Sequence, residues 1–204
     1  MKDLIKRLTE AYGPSGREEQ IRELIRAEVE PLVDQVRVDT LGNLIACKQG
    51  SAGGKRVMLA AHMDEIGVIV SYVDETGFMR FQPLGGVDAM TLVGSRVQFA
   101  DGALGVIAPE NRQGFKKEPE LPKLYIDMGA TSRQEVQSLL CEAAGFVRPF
   151  ADLGRRIVAK SLDDRIGCAV LIELLRRQKA LAHELYCVFS VQEEVGLRGA
   201  RTGA

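Results

Sequence analysis

The segment that most constrains the fold is a long, largely apolar run from Lys55 to Val73, KRVMLAAHMDEIGVIVSYV. Its first half is apolar without strict alternation, which is typical of a β-strand buried on both faces of a sheet. Two amphipathic helices are predicted before it, at 3–12 and 15–31. In the second, Ser15 and Glu18 match a capping box. Helices that lead into buried strands indicate an α/β sandwich.

The pattern changes between Val68 and Phe150, where short β-rich runs are separated by glycine-containing turns. Such spacing favours a small barrel or sandwich. The α/β pattern returns after Val158, with a helix whose apolar residues have helical spacing and then the strand ELYCVFSVQ; the apolar residues are Ile166, Val170, Leu171, Leu174 and Leu175. The sequence therefore predicts one α/β domain, residues 1–67 and 160–204, interrupted by a β-rich insert at 68–159. The polar run at 111–123 is expected to be an exposed loop.

Composition excludes several classes of function. Of 204 residues, 46% are hydrophobic and 27% charged, with a net charge of -1, and Lys and Arg are scattered. This balance is globular and predicts no nucleic-acid partner and no polybasic membrane surface. No run reaches the ~18 apolar residues of a membrane span, and the N-terminus lacks the apolar core of a signal peptide. The four cysteines form no CxxC pair, so reduced thiols and a cytoplasmic location are expected.

Three short stretches place ionisable residues at the end of an apolar run. In sheets covered on both faces, reactive groups lie where strands end. Each stretch has an ordinary structural explanation: a single histidine is usually structural, and acidic residues that open a helix usually cap it. The stretches are LAAHMDEIG with His62, Asp64 and Glu65, KSLDDRIG with Asp163, Asp164 and Arg165, and VQEEVG with Glu193 and Glu194.

Considered together, these residues favour a metal-dependent hydrolase. Asp64 is close enough to His62 to hold its imidazole in one tautomer, and Asp163 can bridge two cations. One glutamate of the adjacent pair can bind metal while the other takes a proton from water. Imidazole with carboxylates suits zinc or cobalt of the hydrolytic type. No GxSxG or Cys/His pattern supplies a competing nucleophile.

The motifs AAHMDEIG, KSLDDRIGCAV and VQEEVGLRGA, in this order, resemble those of peptidase family M forty-two. These are co-catalytic metallo-aminopeptidases, also called glutamyl or tetrahedral aminopeptidases and sometimes endoglucanases. The resemblance covers essentially the whole chain. It implies a zinc-peptidase-like α/β/α sandwich, incomplete at the C-terminus, and a barrel-like insert that serves as the dimerisation domain. Dimers build a tetrahedral dodecamer in this family.

The resemblance also implies the role of each site residue. His62, Asp163 and Glu194 correspond to ligands of two divalent metal ions, zinc or cobalt, with Asp163 as the bridge. Glu193 corresponds to the general base and Asp64 to the carboxylate behind His62. The Asp163–Asp164 peptide bond is cis in relatives. The implied activity is removal of N-terminal residues from short peptides.

The chain departs from the family where it ends, at Ala204. Relatives continue and supply one more aspartate and one more histidine ligand, so each metal would lose a protein ligand here. His183 is predicted at the wrong end of its strand to replace that histidine. The expectation is an incomplete, inactive fragment. The alternatives are half of a split enzyme or a non-catalytic assembly module.

Glycoside hydrolysis is the other reaction considered. It requires two carboxyl groups that face each other across a sugar, ~5–9 Å apart. Glu193 and Glu194 are neighbours in sequence, and the chain contains no tryptophan for sugar stacking. The sequence therefore favours peptide hydrolysis.

Overall fold

The computed structural model describes residues 1–110, 119–178 and 180–203. Of the loop predicted at 111–123, residues 111–118 lie outside the described part of the chain, and Leu121–Lys123 forms a short 3-10 helix.

The chain divides into two compact units. Unit 1 comprises Met1–Glu65 and Pro149–Ala204, and unit 2 comprises Ile66–Arg148. The sequence predicted an insert at 68–159. Its predicted end, residue 159, lies further along the chain than Arg148, the last residue of unit 2.

The described residues form six α-helices and twelve β-strands. The helices are α1 (Lys2–Glu10), α2 (Glu19–Val29), α3 (Ala89–Leu92), α4 (Arg133–Val136), α5 (Leu162–Arg177) and α6 (Arg198–Gly203). The strands are β1 (Gln35–Val38), β2 (Leu44–Lys48), β3 (Arg56–His62), β4 (Gly67–Val73), β5 (Met79–Leu84), β6 (Arg96–Phe99), β7 (Leu104–Pro109), β8 (Leu124–Asp127), β9 (Ala143–Phe146), β10 (Ala151–Asp152), β11 (Ile157–Val158) and β12 (Glu184–Ser190). Among the helices of this part of the chain, none combines the length and apolar character needed to cross a membrane.

Unit 1 contains a mixed four-stranded sheet with the strand order β1-β2-β12-β3. The pairs β1/β2 and β2/β12 are antiparallel, whereas β12 and β3 are parallel. In that parallel pair Ser190 lies opposite His62. Because parallel strands end at the same edge of a sheet, the residues that follow β3 and β12 emerge side by side.

The core of unit 1 is formed by the apolar faces of α1, α2 and α5 against the sheet. The periodicity predicted for the first two helices is confirmed, since each turns one face inward. Burying each large apolar side chain contributes about 1.5–3 kcal/mol. The buried residues of α1 and α2 include Leu4, Ile5, Leu8, Ile21, Ile25 and Val29.

Two expectations about burial in unit 1 are wrong. In β3, Met58 is 49% exposed, so this strand is not buried on both faces in the described structure. In α5, Ile166 and Val170 are 37% and 53% exposed, while Cys168 and Ile172 are buried in addition to Leu171 and Leu175. The inward face of α5 is therefore rotated from the predicted one and includes the small residues Cys168 and Ala169.

The capping box predicted for α2 is also wrong. The helix begins at Glu19, and Glu18 occupies the N-cap position without a side-chain cap hydrogen bond. The Ser15 hydroxyl binds a residue distant in sequence, Asp64.

Unit 2 is built around a closed β-barrel with the strand order β4-β5-β8-β7-β6-β9. Its interior is lined by a separate apolar cluster that includes Val68, Phe99 and Ile107. The predicted β-rich, barrel-like insert is therefore confirmed as an architecture.

Candidate metal centre

The candidate site forms where β3 and β12 end together. The Met63 amide donates to the Ser190 carbonyl at 2.8 Å, which extends the pairing one residue past the strands. Beyond this point, His62 from β3 meets Glu193 and Glu194 from the turn after β12. One potential ligand atom from each of these three side chains lies within 4.8 Å of the others, and all three are partly buried. The sequence placed these residues at strand ends, and the structure brings them together.

The two nitrogens of His62 have different surroundings. Nδ1 lies 3.2 Å from the Asp64 carbonyl oxygen and 3.4 Å from Asp64 Oδ1. Nε2 lies 3.0 Å from Asp163 Oδ1 and 3.8 Å from Glu193 Oε2. Burial alone would lower the pKa of His62, but Asp64, then Asp163 and Glu193, outweigh it and raise the pKa from 6.5 to about 9. With its proton on Nδ1, a neutral His62 would aim the Nε2 lone pair at the carboxylates.

Asp163 and Asp164 stand side by side at the start of α5 but do different things. Asp163 turns toward His62, and its side chain is 90% exposed. Asp164 Oδ1 accepts the Gly167 amide at 3.0 Å, which is the capping role expected of an acidic residue at a helix start. The peptide bond between the two aspartates is cis. Thus Asp164 has the structural role of a helix cap, whereas Asp163 lies beside His62, and its role as a metal ligand stays a prediction.

Asp64 is fully buried and connects the two strand ends. Its Oδ1 accepts the Glu193 amide at 3.0 Å and its Oδ2 accepts the Glu194 amide at 3.2 Å. The Ser15 hydroxyl donates to Oδ2 at 2.6 Å. Burial would raise the pKa of Asp64, but the hydrogen bonds from His62, Ser15 and the two amides lower it below its usual value. Asp64 therefore contacts the backbone of the glutamate pair as well as the imidazole.

Glu194 has a pKa above its ordinary value. Burial raises its pKa, and the negative charges of Asp64, Glu193 and Asp163 add to that effect, whereas His62 opposes it. Several carboxylates crowded around one imidazole favour a bound cation, because a cation relieves their mutual repulsion.

A group of buried charged residues beneath the site had no functional role predicted for it. Glu65 is buried; its Oε1 accepts the Gly13 amide at 3.1 Å, and its Oε2 accepts Lys160 Nζ at 2.5 Å and the Ser161 hydroxyl. Burial lowers the pKa of Lys160, and Glu65 opposes that shift. Arg165 is fully buried and donates to the Leu8 carbonyl at 2.5 Å. These contacts hold the segment that carries Asp163 against the end of β3.

Glu18 is a further buried acidic residue, and the sequence predicted it to be part of a capping box. Its Oε1 accepts the Gly16 amide at 2.7 Å and the Gln192 amide at 3.1 Å. Burial raises the pKa of Glu18. In the sequence, only the high density of small and polar residues in GPSGRE could have indicated that this loop contacts the site as well as leading into α2.

His183, the other histidine of the chain, lies just before β12, at the opposite end from the site. Its Nδ1 accepts the Lys55 amide at 3.3 Å. The prediction that it cannot replace a missing ligand agrees with this position.

Comparison with known proteins adds independent findings. The family described as M42 glutamyl aminopeptidase matches residues 42–204. A protein of Acetivibrio thermocellus that bears an aminopeptidase name is 47% identical over 206 residues, covering 100% of this chain and 62% of its own length.

Solved structures match as well. The aminopeptidase APDkam598 from Desulfurococcus kamchatkensis has a TM-score of 0.92 and 41% identity, covering 99% of this chain and 58% of that protein. The TET1 peptidase of Pyrococcus horikoshii, which can assemble into a tetrahedron or a large octahedral shell, has a TM-score of 0.88 and 35% identity, covering 98% of this chain and 63% of its own. A structure of PhTET1-12s is a dodecamer. The chain thus spans less than two thirds of the length of these relatives.

Proposed function

Because this chain belongs to the M42 aminopeptidase family, we propose that it carries the metal centre of an enzyme that removes N-terminal residues from short peptides. The observation that best supports this is the convergence of donor atoms from His62, Glu193 and Glu194 within 4.8 Å. Since the chain spans only part of its relatives' length, the substrates, the activity and the partners of the whole protein all belong to the proposal.

The donor set fits two divalent cations of the zinc or cobalt type. An imidazole in its neutral form together with carboxylates is the kind of ligand set that these ions accept. His62, through Nε2, would hold one cation and Glu194 the other, with Asp163 shared between the two. Cations bound there would supply Lewis acidity toward a peptide carbonyl and toward water.

The chain's own residues would then handle the proton. Glu193 lies beside the ligands, with Oε2 at 3.8 Å from His62 Nε2, and its side chain is 34% exposed, so it can reach a water molecule. We assign it as the general base that takes a proton from the attacking water and delivers it to the leaving amine. Asp64 would orient His62 through Nδ1 and hold the backbone of the glutamate pair.

Under this assignment, the ligand set that the described residues supply is incomplete. His62 with Asp163, and Asp163 with Glu194, give each cation two protein ligands, because Glu193, the third member of the converging group of donors, is assigned as the base. We therefore infer that the chain alone binds divalent metal and is inactive as a peptidase. The alternative is that it acts as half of a split enzyme or as a non-catalytic assembly module.

Metal binding is the first test. Co²⁺ would be titrated into the chain and into His62→Ala and Glu194→Ala, with visible absorption as the signal. Loss of a ligand should weaken binding by about 10-fold or more. The control, His183→Ala, removes an exposed histidine at the far end of β12 and should bind like the unsubstituted chain. Equal binding by all four proteins would contradict the assigned ligands.

Activity is the second test, on Glu-, Lys- and Leu-p-nitroanilides with Zn²⁺ or Co²⁺. The chain alone would be compared with a fusion that adds the unmatched C-terminal part of the Acetivibrio thermocellus relative. Activity only in the fusion supports the aminopeptidase assignment. Metal binding without activity in either protein would favour the assembly module, and hydrolysis of cellulose but not of the anilides would favour a glycosidase.

We also propose that unit 2 mediates dimerisation and that the protein is cytoplasmic. Unit 2 exposes large apolar side chains, including Tyr72, Met90 and Leu104, and related peptidases form large closed assemblies. All four cysteines are free, as expected in a reducing compartment. Sedimentation velocity would test the assembly: Leu104→Glu should shift the chain from dimer to monomer, whereas an unchanged dimer would exclude this surface.

A further inference from the structure

We infer that Glu18 is a positioning residue of the metal centre, whose buried carboxylate fixes the backbone from which Glu193 and Glu194 project. This inference rests on the proposed function, because it concerns the same site. Neither a helix-capping role nor a surface role accounts for the contacts of Glu18.

The first observation is the environment of Glu18 itself. The residue is 4% exposed, and its Oε1 accepts two amides, from Gly16 at 2.7 Å and from Gln192 at 3.1 Å. Glu18 and Gln192 are 174 positions apart in sequence. The carboxylate makes no cap hydrogen bond to α2. Its Oε1 instead binds the backbone of the turn after β12 and of the loop before the helix.

The second observation is the conformation of Gln192. Its φ is 53°, in the left-handed region that residues with a Cβ atom rarely adopt. It immediately precedes the two glutamates, so this conformation determines the direction in which they leave the strand. Residues in such conformations persist only where their surroundings hold them. The hydrogen bond from the Gln192 amide to Glu18 is one such restraint.

The third observation is that the restraints are continuous along the turn. Three consecutive amides, from Gln192 to Glu194, donate to two buried carboxylates, Glu18 and Asp64. Ser15, three residues before Glu18, donates to Asp64. The loop at 13–18 therefore reaches both carboxylates.

The same loop is fixed to the end of β3. The Glu65 amide donates to the Gly13 carbonyl at 3.1 Å, and the Ser15 amide donates to the Glu65 carbonyl at 3.2 Å. One hydrogen-bonded loop thus connects the turn that carries the glutamate pair to the end of β3, which carries His62. Loss of the Glu18 acceptor would remove the hydrogen bond that holds the Gln192 backbone. The metal ligands themselves would be chemically unchanged.

The test uses Co²⁺ binding to the full chain, with dissociation constants and visible absorption spectra measured for four proteins. Glu18→Ala removes the acceptor and should weaken Co²⁺ binding by about 10-fold, as changes behind metal ligands do, and should alter the absorption bands. Glu18→Gln keeps an oxygen at Oε1 and should restore most of the affinity and the original spectrum. Glu19→Ala, the control at the adjacent exposed position, should match the unsubstituted chain.

The outcomes separate the positioning role from the metal centre. If the unsubstituted chain binds Co²⁺ and Glu18→Ala binds it equally well with the same spectrum, the positioning role is overturned and the metal centre stands. Equal losses in Glu18→Gln and Glu18→Ala would also overturn it. If the unsubstituted chain binds no Co²⁺, the proposed metal centre itself fails. If circular dichroism shows that Glu18→Ala does not fold, Glu18→Asp replaces it in the test. This variant keeps the negative charge but moves the carboxylate oxygen away from the Gln192 amide, and it should weaken Co²⁺ binding.

Discussion

The Ser15 hydroxyl donates a 2.6 Å hydrogen bond to Asp64 Oδ2, between two buried residues 49 positions apart in sequence. A hydrogen bond to a charged partner contributes about 1.5–3 kcal/mol. We therefore expect Ser15→Ala to lower the free energy of unfolding by about that amount, measured by urea denaturation. The control Ser51→Ala removes an exposed hydroxyl that donates to the Leu181 carbonyl at 3.3 Å and should change stability by less than about 0.5 kcal/mol. Equal effects in the two variants would contradict the importance of the Asp64 contact.

How far the sequence predicted the site depends on the distance over which each feature acts. The clusters at His62, Asp163 and Glu193 were predictable because strand ends and charge are local features. Ser15 and Glu18 were assigned to a capping box because that motif is also local, whereas their partners, Asp64 and Gln192, are reached only through the fold. Single-sequence patterns carry no information about such partners.

Exposure was the other feature that periodicity predicted poorly. An apolar run shows that a strand can be buried on both faces, but Met58 in β3 is 49% exposed because burial depends on neighbouring elements that the run does not encode. Similarly, helical spacing defined an apolar stripe of large residues on α5, but the buried side of the helix also includes the small residues Cys168 and Ala169. The β-rich architecture of unit 2 was predictable as a class because turn spacing is a local feature. Turn spacing does not show whether the strands close into a barrel or form a sandwich.

His62 makes the stability of the metal-free chain depend on pH. Its pKa in the folded chain is about 9, above the ordinary 6.5. A raised folded-state pKa adds stability that is fully present below about pH 6.5 and is lost as the pH rises through about 9. With a chelator present, the free energy of unfolding should therefore fall between these pH values, and His62→Gln should flatten the curve. Urea titrations across this range measure both, and parallel curves would refute the shift.

The cysteines should differ strongly in reactivity. Cys141 is exposed, whereas Cys47, Cys168 and Cys187 are buried, and burial raises the pKa of both Cys168 and Cys187 to about 12. Thiolates are the reactive species. An aromatic disulfide reagent should modify one thiol rapidly in the native chain and all four after denaturation. Cys141→Ser should abolish the fast phase, and a rapid phase that survives this substitution would place a second accessible thiol in the folded protein.

Gly199 permits a close contact between α6 and the end of β12. A Cβ atom at this position would lie 2.3 Å from the Val191 carbonyl oxygen and 2.4 Å from Asn43 Oδ1. Because the Val191 oxygen belongs to the backbone, Gly199→Ala must displace α6 and should cost about 1–3 kcal/mol. Gly86→Ala is the control, since nothing lies within 4 Å of its added Cβ. Thermal unfolding of both variants would show a lower midpoint for Gly199→Ala alone, and equal midpoints would contradict the steric argument.

Glu65 is the negative charge that compensates a buried cation beneath the candidate site. Its Oε2 binds Lys160 Nζ at 2.5 Å, and both side chains are largely withdrawn from water, with 2% and 10% exposed. Removing one partner of a buried pair leaves the other charge uncompensated, which costs about 3–5 kcal/mol. We expect Glu65→Gln to destabilise the chain by this amount in urea denaturation. Adding Lys160→Met to that variant should recover part of the loss, because the orphaned ammonium is then absent. If the double variant were less stable than Glu65→Gln, the cost would come from lost packing rather than from an uncompensated charge.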